Sequence, residues 1–97
     1  MLFVELKNSN RKGKRLMFVY NDSDKVKAIH FGALGASTYL EHKDKKKRDN
    51  YIKRHVVNED WGSVNPGSLS RWILWGDSTD IETNLKDYLK KFNIKKY

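Results

Sequence analysis

Residues 81–92 carry Ile81, Leu85, Tyr88, Leu89 and Phe92 at the i, i+4, i+7, i+8, i+11 spacing of a single helix face. A helix marked in this way needs an apolar surface to cover, and the chain supplies one earlier. Three short runs rich in β-formers precede it: LFVEL at 2–6, RLMFVY at 15–20 and KVKAIHF at 25–31. Alternation puts Leu2, Val4 and Leu6 on one face of the first run and Leu16, Phe18 and Tyr20 on one face of the second. In the third, Val26, Ala28 and His30 alternate with Lys25 and Lys27. The polar NDSD at 21–24 has the length of a tight hairpin turn, whereas residues 7–14 form a longer, basic link. Strands first and helices after predict an α+β fold: a three-stranded antiparallel meander followed by two to three helices packed on the sheet. At 97 residues, one domain over 1–97 is expected.

The helices are expected at about 45–57, 68–75 and 79–92. Asp44 is placed to cap the first, because its carboxylate can accept from the orphan amides of the first turn. On that helix Tyr51, Ile52, His55 and Val56 share one side, and Lys46, Lys47, Lys53 and Arg54 the other. Three lysines in its first turn oppose the helix dipole, a local rule broken where function is often found. Asn58 is expected to end it in a left-handed turn. Residues 61–67 read as a loop. Ser68 then caps a short helix closed by Gly76, and Thr79 with Glu82 forms a capping box for the last.

Charge is the next constraint. The net charge is +8, and it is clustered. Lys7, Arg11, Lys12, Lys14 and Arg15 have no acid among them, and the 43–54 stretch sets seven cations against Asp44 and Asp49. Lys90, Lys91, Lys95 and Lys96 form a third island. Basic islands of this kind point to a polyanionic partner, with a solvated surface as the plain alternative. The absence of cysteine removes disulfides and thiolate metal sites. No run approaches the ~20 apolar residues of a membrane span, and the N-terminus has no secretory pattern.

No catalytic signature emerges. His30, His42 and His55 stand 12 and 13 residues apart, which matches no metal-ligand spacing, and no serine has a visible base partner. Catalytic residues, metal, cofactor and small-molecule substrate are therefore all expected to be absent. His55, beside Tyr51 and Ile52, reads as a half-buried hydrogen-bonded residue. Arg48, in the middle of the apolar stripe, is expected to pair with an acid such as Asp60 or to stack on a ring. Gly32-Ala33-Leu34-Gly35 reads as a strand terminator and turn rather than a phosphate loop. Polyanion or partner contact falls to Arg11, Lys12, Lys14, Arg15, Lys46, Lys47, Lys53 and Arg54. Among the three tryptophans, Trp72 and Trp75 lie on neighbouring turns, and an exposed pair would make a hydrophobic anchor.

The strings IHFGALGAS, EHKDKKKRDNYIKRH, NEDW and SRWILW between residues 29 and 75 resemble a family of short uncharacterised proteins encoded by large nucleocytoplasmic DNA viruses. The family pattern has a lysine where this chain has Leu34, which weakens an anion-cradle reading of the loop. The resemblance implies a viral origin and no established activity, and small basic proteins of such viruses are often virion components. The expected role is a non-enzymatic virion-associated structural or adaptor protein, found in the virion and in host cytoplasm or nucleus during infection. Its expected partners are other virion proteins or nucleic acid. The rival expectation is sequence-nonspecific nucleic-acid binding. A minor one is a metal-dependent nuclease using His42, Asp44 and His55.

Overall fold

The structure, a computed structural model, describes residues 1–97. Three long strands, β1 (Leu2–Asn8), β2 (Lys14–Asp22) and β3 (Lys25–Ala33), form the expected antiparallel meander within an α+β fold. A two-residue strand, β4 (Lys95–Lys96), adds in parallel beside β1, giving the order β3-β2-β1-β4. The β2–β3 turn consists of Ser23 and Asp24, both at positive φ (52° and 67°). That pair of left-handed residues matches the right-handed twist of the strands it joins.

Two of the expected strand faces are corrected. Pairing slips between Phe3 and Glu5, so Val4 sits in a β-bulge. The extra residue shifts the alternation, and the core takes Phe3 and Leu6 rather than Leu2, Val4 and Leu6. In β3 the inward residues are Ile29 and Phe31, paired with Phe18 and Leu16. Val26, on the opposite phase, is 70% exposed. Lysines at both 25 and 27 had masked which phase was apolar.

Four helical pieces follow: α1 (Tyr39–His42), α2 (Lys45–His55), α3 (Pro66–Leu69), which runs straight into a π-helical turn (Ser70–Leu74), and α4 (Ile81–Lys91). Phe3, Phe18 and Phe31 from the sheet meet Leu69, Ile73, Leu74, Leu85, Tyr88 and Leu89 in one core. Tyr88 stands edge-on to Phe18, with ring centroids 5.9 Å apart. The expected α4 stripe is the one that packs. However, α2 contributes nothing to this core. It docks beside the helical layer rather than on the sheet.

The caps explain the boundaries. Asp44 accepts from the amides of Lys46 and Lys47 at 2.9 and 3.3 Å, as expected. α2 ends at His55 with Val56 as its cap at φ −58°; Asn58 is not left-handed, contrary to expectation, and Val56 is left half exposed. The cap of α3 is Asn65, with Pro66 as the first helical residue, where a missing N–H does no harm. Ser68 is instead its buried third residue, and its hydroxyl bonds Tyr88 Oη at 2.8 Å. The last helix is capped one residue later than expected, at Asp80, whose carboxylate accepts from Thr83. Its end is a Schellman turn: Asn93 is left-handed, Ile94 N–H reaches Leu89 O and Asn93 N–H reaches Lys90 O. That turn aims Lys95 and Lys96 along β1.

Gly76 owes its identity to space rather than to a left-handed backbone. It is buried, and a Cβ there would collide with the Trp72 carbonyl and lie 2.8 Å from Asn84 Cγ. Asn84 is itself pinned, donating to Ile73 O at 3.0 Å and Ser78 O at 2.7 Å. Gly76→Ala is expected to destabilise the fold by about 2 kcal/mol or more. Urea denaturation checks this, and a loss below about 0.5 kcal/mol would contradict the steric account.

Candidate polyanion-binding trough

The short helix α1 is set by Thr38 and Glu41. The Glu41 carboxylate accepts from both the Thr38 amide and hydroxyl, at 3.2 and 3.1 Å. Lys43, left-handed at φ 56°, turns the chain into α2. Three side chains then fix α2. Tyr51 stacks face to face on Trp75, centroids 4.3 Å apart and planes 4° from parallel. Arg48 donates to Gly76 O at 2.8 Å and pairs with Asp77, with its guanidinium 5.5 Å above the Tyr39 ring. Its expected structural role is what the structure has, with Asp77 in place of Asp60. The Asp60 carboxylate caps the following turn, on Gly62 N–H and Ser63 Oγ. His55 stacks on Tyr51 and bonds Glu59 through Nδ1.

Docked this way, α2 forms one wall of a trough made of three adjoining depressions. The first, about 340 Å³, is bounded by Ser37, His42, Lys47, Asn50, Arg54 and Trp75. The second, about 530 Å³, shares Ser37, Arg54 and Trp75 with it and runs between α2 and the start of α3 to Lys14. The third, about 710 Å³, lies over the β1–β2 hairpin and shares Lys14 with the second. Glu59 is the only carboxylate on any of these walls, and it is engaged by His55 and Trp61.

Of the eight cations expected to contact a polyanion, six line the trough: Arg11, Lys12, Lys14, Lys47 and Arg54, and also Arg15 in the third depression. Lys46 and Lys53 are exposed on α2 outside its walls. Apart from Arg15, these cations make no ion pair with the protein's own acids. Arg15 differs: it lies 2.5 Å from Glu41 and donates to Ala36 O at 2.9 Å, tying the hairpin to the loop that leads into α1. The hairpin's field is visible at His30, which bonds Ser9 Oγ at 2.6 Å. Partial burial, then Arg11 and Lys14, hold its imidazole below the ordinary value.

The tryptophans expected as an anchor are half-buried with their ring faces occupied. Trp75 carries Tyr51 and touches His42. Trp72 lies 4.0 Å from the Arg71 guanidinium and 4.3 Å from Lys91 Nζ. Arg71, 7% exposed, donates to Trp75 O at 2.8 Å. The glycine loop is no cradle: the Leu34 amide is taken by Gly13 O at 3.0 Å and the Leu34 side chain is 69% exposed. His42, Asp44 and His55 serve separate roles, and no three His, Asp or Glu side chains gather in metal-binding geometry. The sequence reading missed α1, although Thr38-x-x-Glu41 is a capping-box signature. It also missed Ser37 and Asn50, which carry no periodic signal at all.

Burial, reinforced by the Glu59 carboxylate, pushes the Tyr51 phenol up to about 12, and burial pushes Tyr88 up to about 12. Both folded values lie above the unfolded value of about 10, so the fold favours the neutral phenols. Their contribution is complete below pH ~10 and is lost as pH rises toward 12. Ultraviolet titration should show two of the five tyrosines ionising late, together with loss of tertiary structure. Five phenols titrating together near pH ~10 in the folded protein would contradict this.

Residues 4–55 match the model of a family of unknown function, DUF5754. No curated protein and no solved structure matches the chain. The matched span runs from β1 to the end of α2 and so includes both cationic elements of the trough. It covers more than half of the sequence: this chain belongs to the family of unknown function DUF5754.

Proposed function

We propose that this chain is a non-enzymatic structural or adaptor protein that holds a linear polyanion along the trough, and that the polyanion is nucleic acid bound without regard to sequence. The observation carrying this reading is the run of three depressions, joined through Arg54 and Lys14, whose walls hold five unpaired cations and one carboxylate already engaged. A row of adjoining cationic depressions suits a partner with charge repeated along a strand. Phosphate contacts alone fix position and not sequence, so the binding is nonspecific. The resemblance to proteins of large DNA viruses supports a virion-associated role, with the host cytoplasm or nucleus as the site of binding during infection. An acidic surface on another virion protein is the second reading, favoured by Lys46 and Lys53, which face solvent outside the groove.

The test is fluorescence polarisation with labelled single-stranded and duplex DNA of unrelated sequences. Affinity for the single strand is expected to fall at least about fiftyfold between ~50 and ~200 mM salt, the slope for about four neutralised phosphates. Lys14→Glu and Arg54→Glu should each weaken binding further, with little difference between sequences. Absence of binding at the lower salt would overturn the nucleic-acid assignment and leave the acidic protein surface as the partner.

A further inference from the structure

The first depression gathers Lys47 and Arg54 with the neutral polar side chains of Ser37, His42 and Asn50, and no carboxylate lies on its wall. We infer that it is a discrete phosphate pocket, gripping one phosphate of the bound strand; the source of that phosphate rests on the nucleic-acid reading above. Lys47, Asn50 and Arg54 fall at i, i+3 and i+7 along α2, so one flank of the helix presents an ammonium, an amide and a guanidinium to the same space. Ser37 adds a hydroxyl from the loop opposite. None of these four side chains has a protein partner, and no carboxylate reaches the pocket to neutralise the charged pair.

His42 supplies the independent observation. Its Nδ1 accepts from the Asp44 amide at 2.9 Å, so the neutral ring carries its proton on Nε2. That Nε2 is shut off from water and has no acceptor within the protein. Buried donors are almost always bonded, so the His42 ring, which borders this depression, is short of one acceptor. The N-terminus of α2 adds no anion site of its own, because the Asp44 carboxylate already occupies the amides of Lys46 and Lys47. A phosphate has the charge for Lys47 and Arg54 and the lone pairs for the neutral donors. Trp75, held against Tyr51, gives the pocket a stiff wall.

Inorganic phosphate is the first probe, titrated against chloride at equal ionic strength while the histidine ring resonances are followed by NMR. The His42 ring is expected to shift saturably, with a dissociation constant on the order of 1 mM, while His30 stays nearly still. Lys47→Gln should weaken phosphate binding about tenfold or more, the loss of one charge-assisted contact. Lys53→Gln, an equal loss of charge on the same helix outside the pocket, should change it less than about twofold. The same ordering is expected with single-stranded DNA. If DNA binds, both variants lose affinity alike and His42 does not respond, the pocket is overturned while the polyanion reading stands. If phosphate binds at His42 but DNA does not bind at all, the assignment to a nucleic-acid strand falls.

Discussion

The stack of Tyr51 on Trp75 ties the basic helix to the rest of the molecule. α2 places no residue in the central core, so its position depends on this aromatic pair, on Arg48 reaching Gly76 and Asp77, and on its Asp44 cap. An aromatic pair of this kind contributes about 0.5–1.5 kcal/mol beyond the area it buries. Trp75 in turn is aimed by the π-helical turn, where its amide bonds Ser70 O five residues back. The extra residue in that turn lets Ile73 and Leu74 enter the core while Trp75 faces outward to meet α2. Wide turns of this type recur at functional sites.

That arrangement makes the charge pattern intelligible. Lys45, Lys46 and Lys47 in the first turn of α2 work against the helix dipole, and the carboxylate of Asp44 offsets part of this by capping two amides. The remaining strain is tolerable because tertiary contacts hold the helix. On the other wall, Arg15 spends its charge on Glu41 to brace the loop, which leaves Lys14, Lys12 and Arg11 free. One cation thus fixes the geometry in which its neighbours remain unpaired.

The α4 stripe, the Asp44 cap, the meander and the structural role of Arg48 were legible in the sequence because each rests on a local rule of spacing or capping. The face of β1 was not, since a bulge at Val4 reverses alternation without leaving any mark in composition. The phase of β3 was ambiguous because Val26 and Ala28 look as apolar as Ile29. Pro66 looked like a loop residue and is a helix start, so the cap moved from Ser68 to Asn65. The basic residues were found as a set. Their division into paired Arg15, wall-forming Lys14, Lys47 and Arg54, and outlying Lys46 and Lys53 depends on tertiary packing that no spacing encodes.

On the function proposed above, hairpin and helix act on one ligand. A backbone amide shift map, recorded with and without a short single-stranded oligonucleotide, tests it most directly. Perturbations are expected to run from the hairpin at 9–15 through the loop at 34–38 to α2, with the outer face of α4 silent. Perturbations confined to α4 and the tail at Lys95–Lys96, with the hairpin and α2 unmoved, would contradict it.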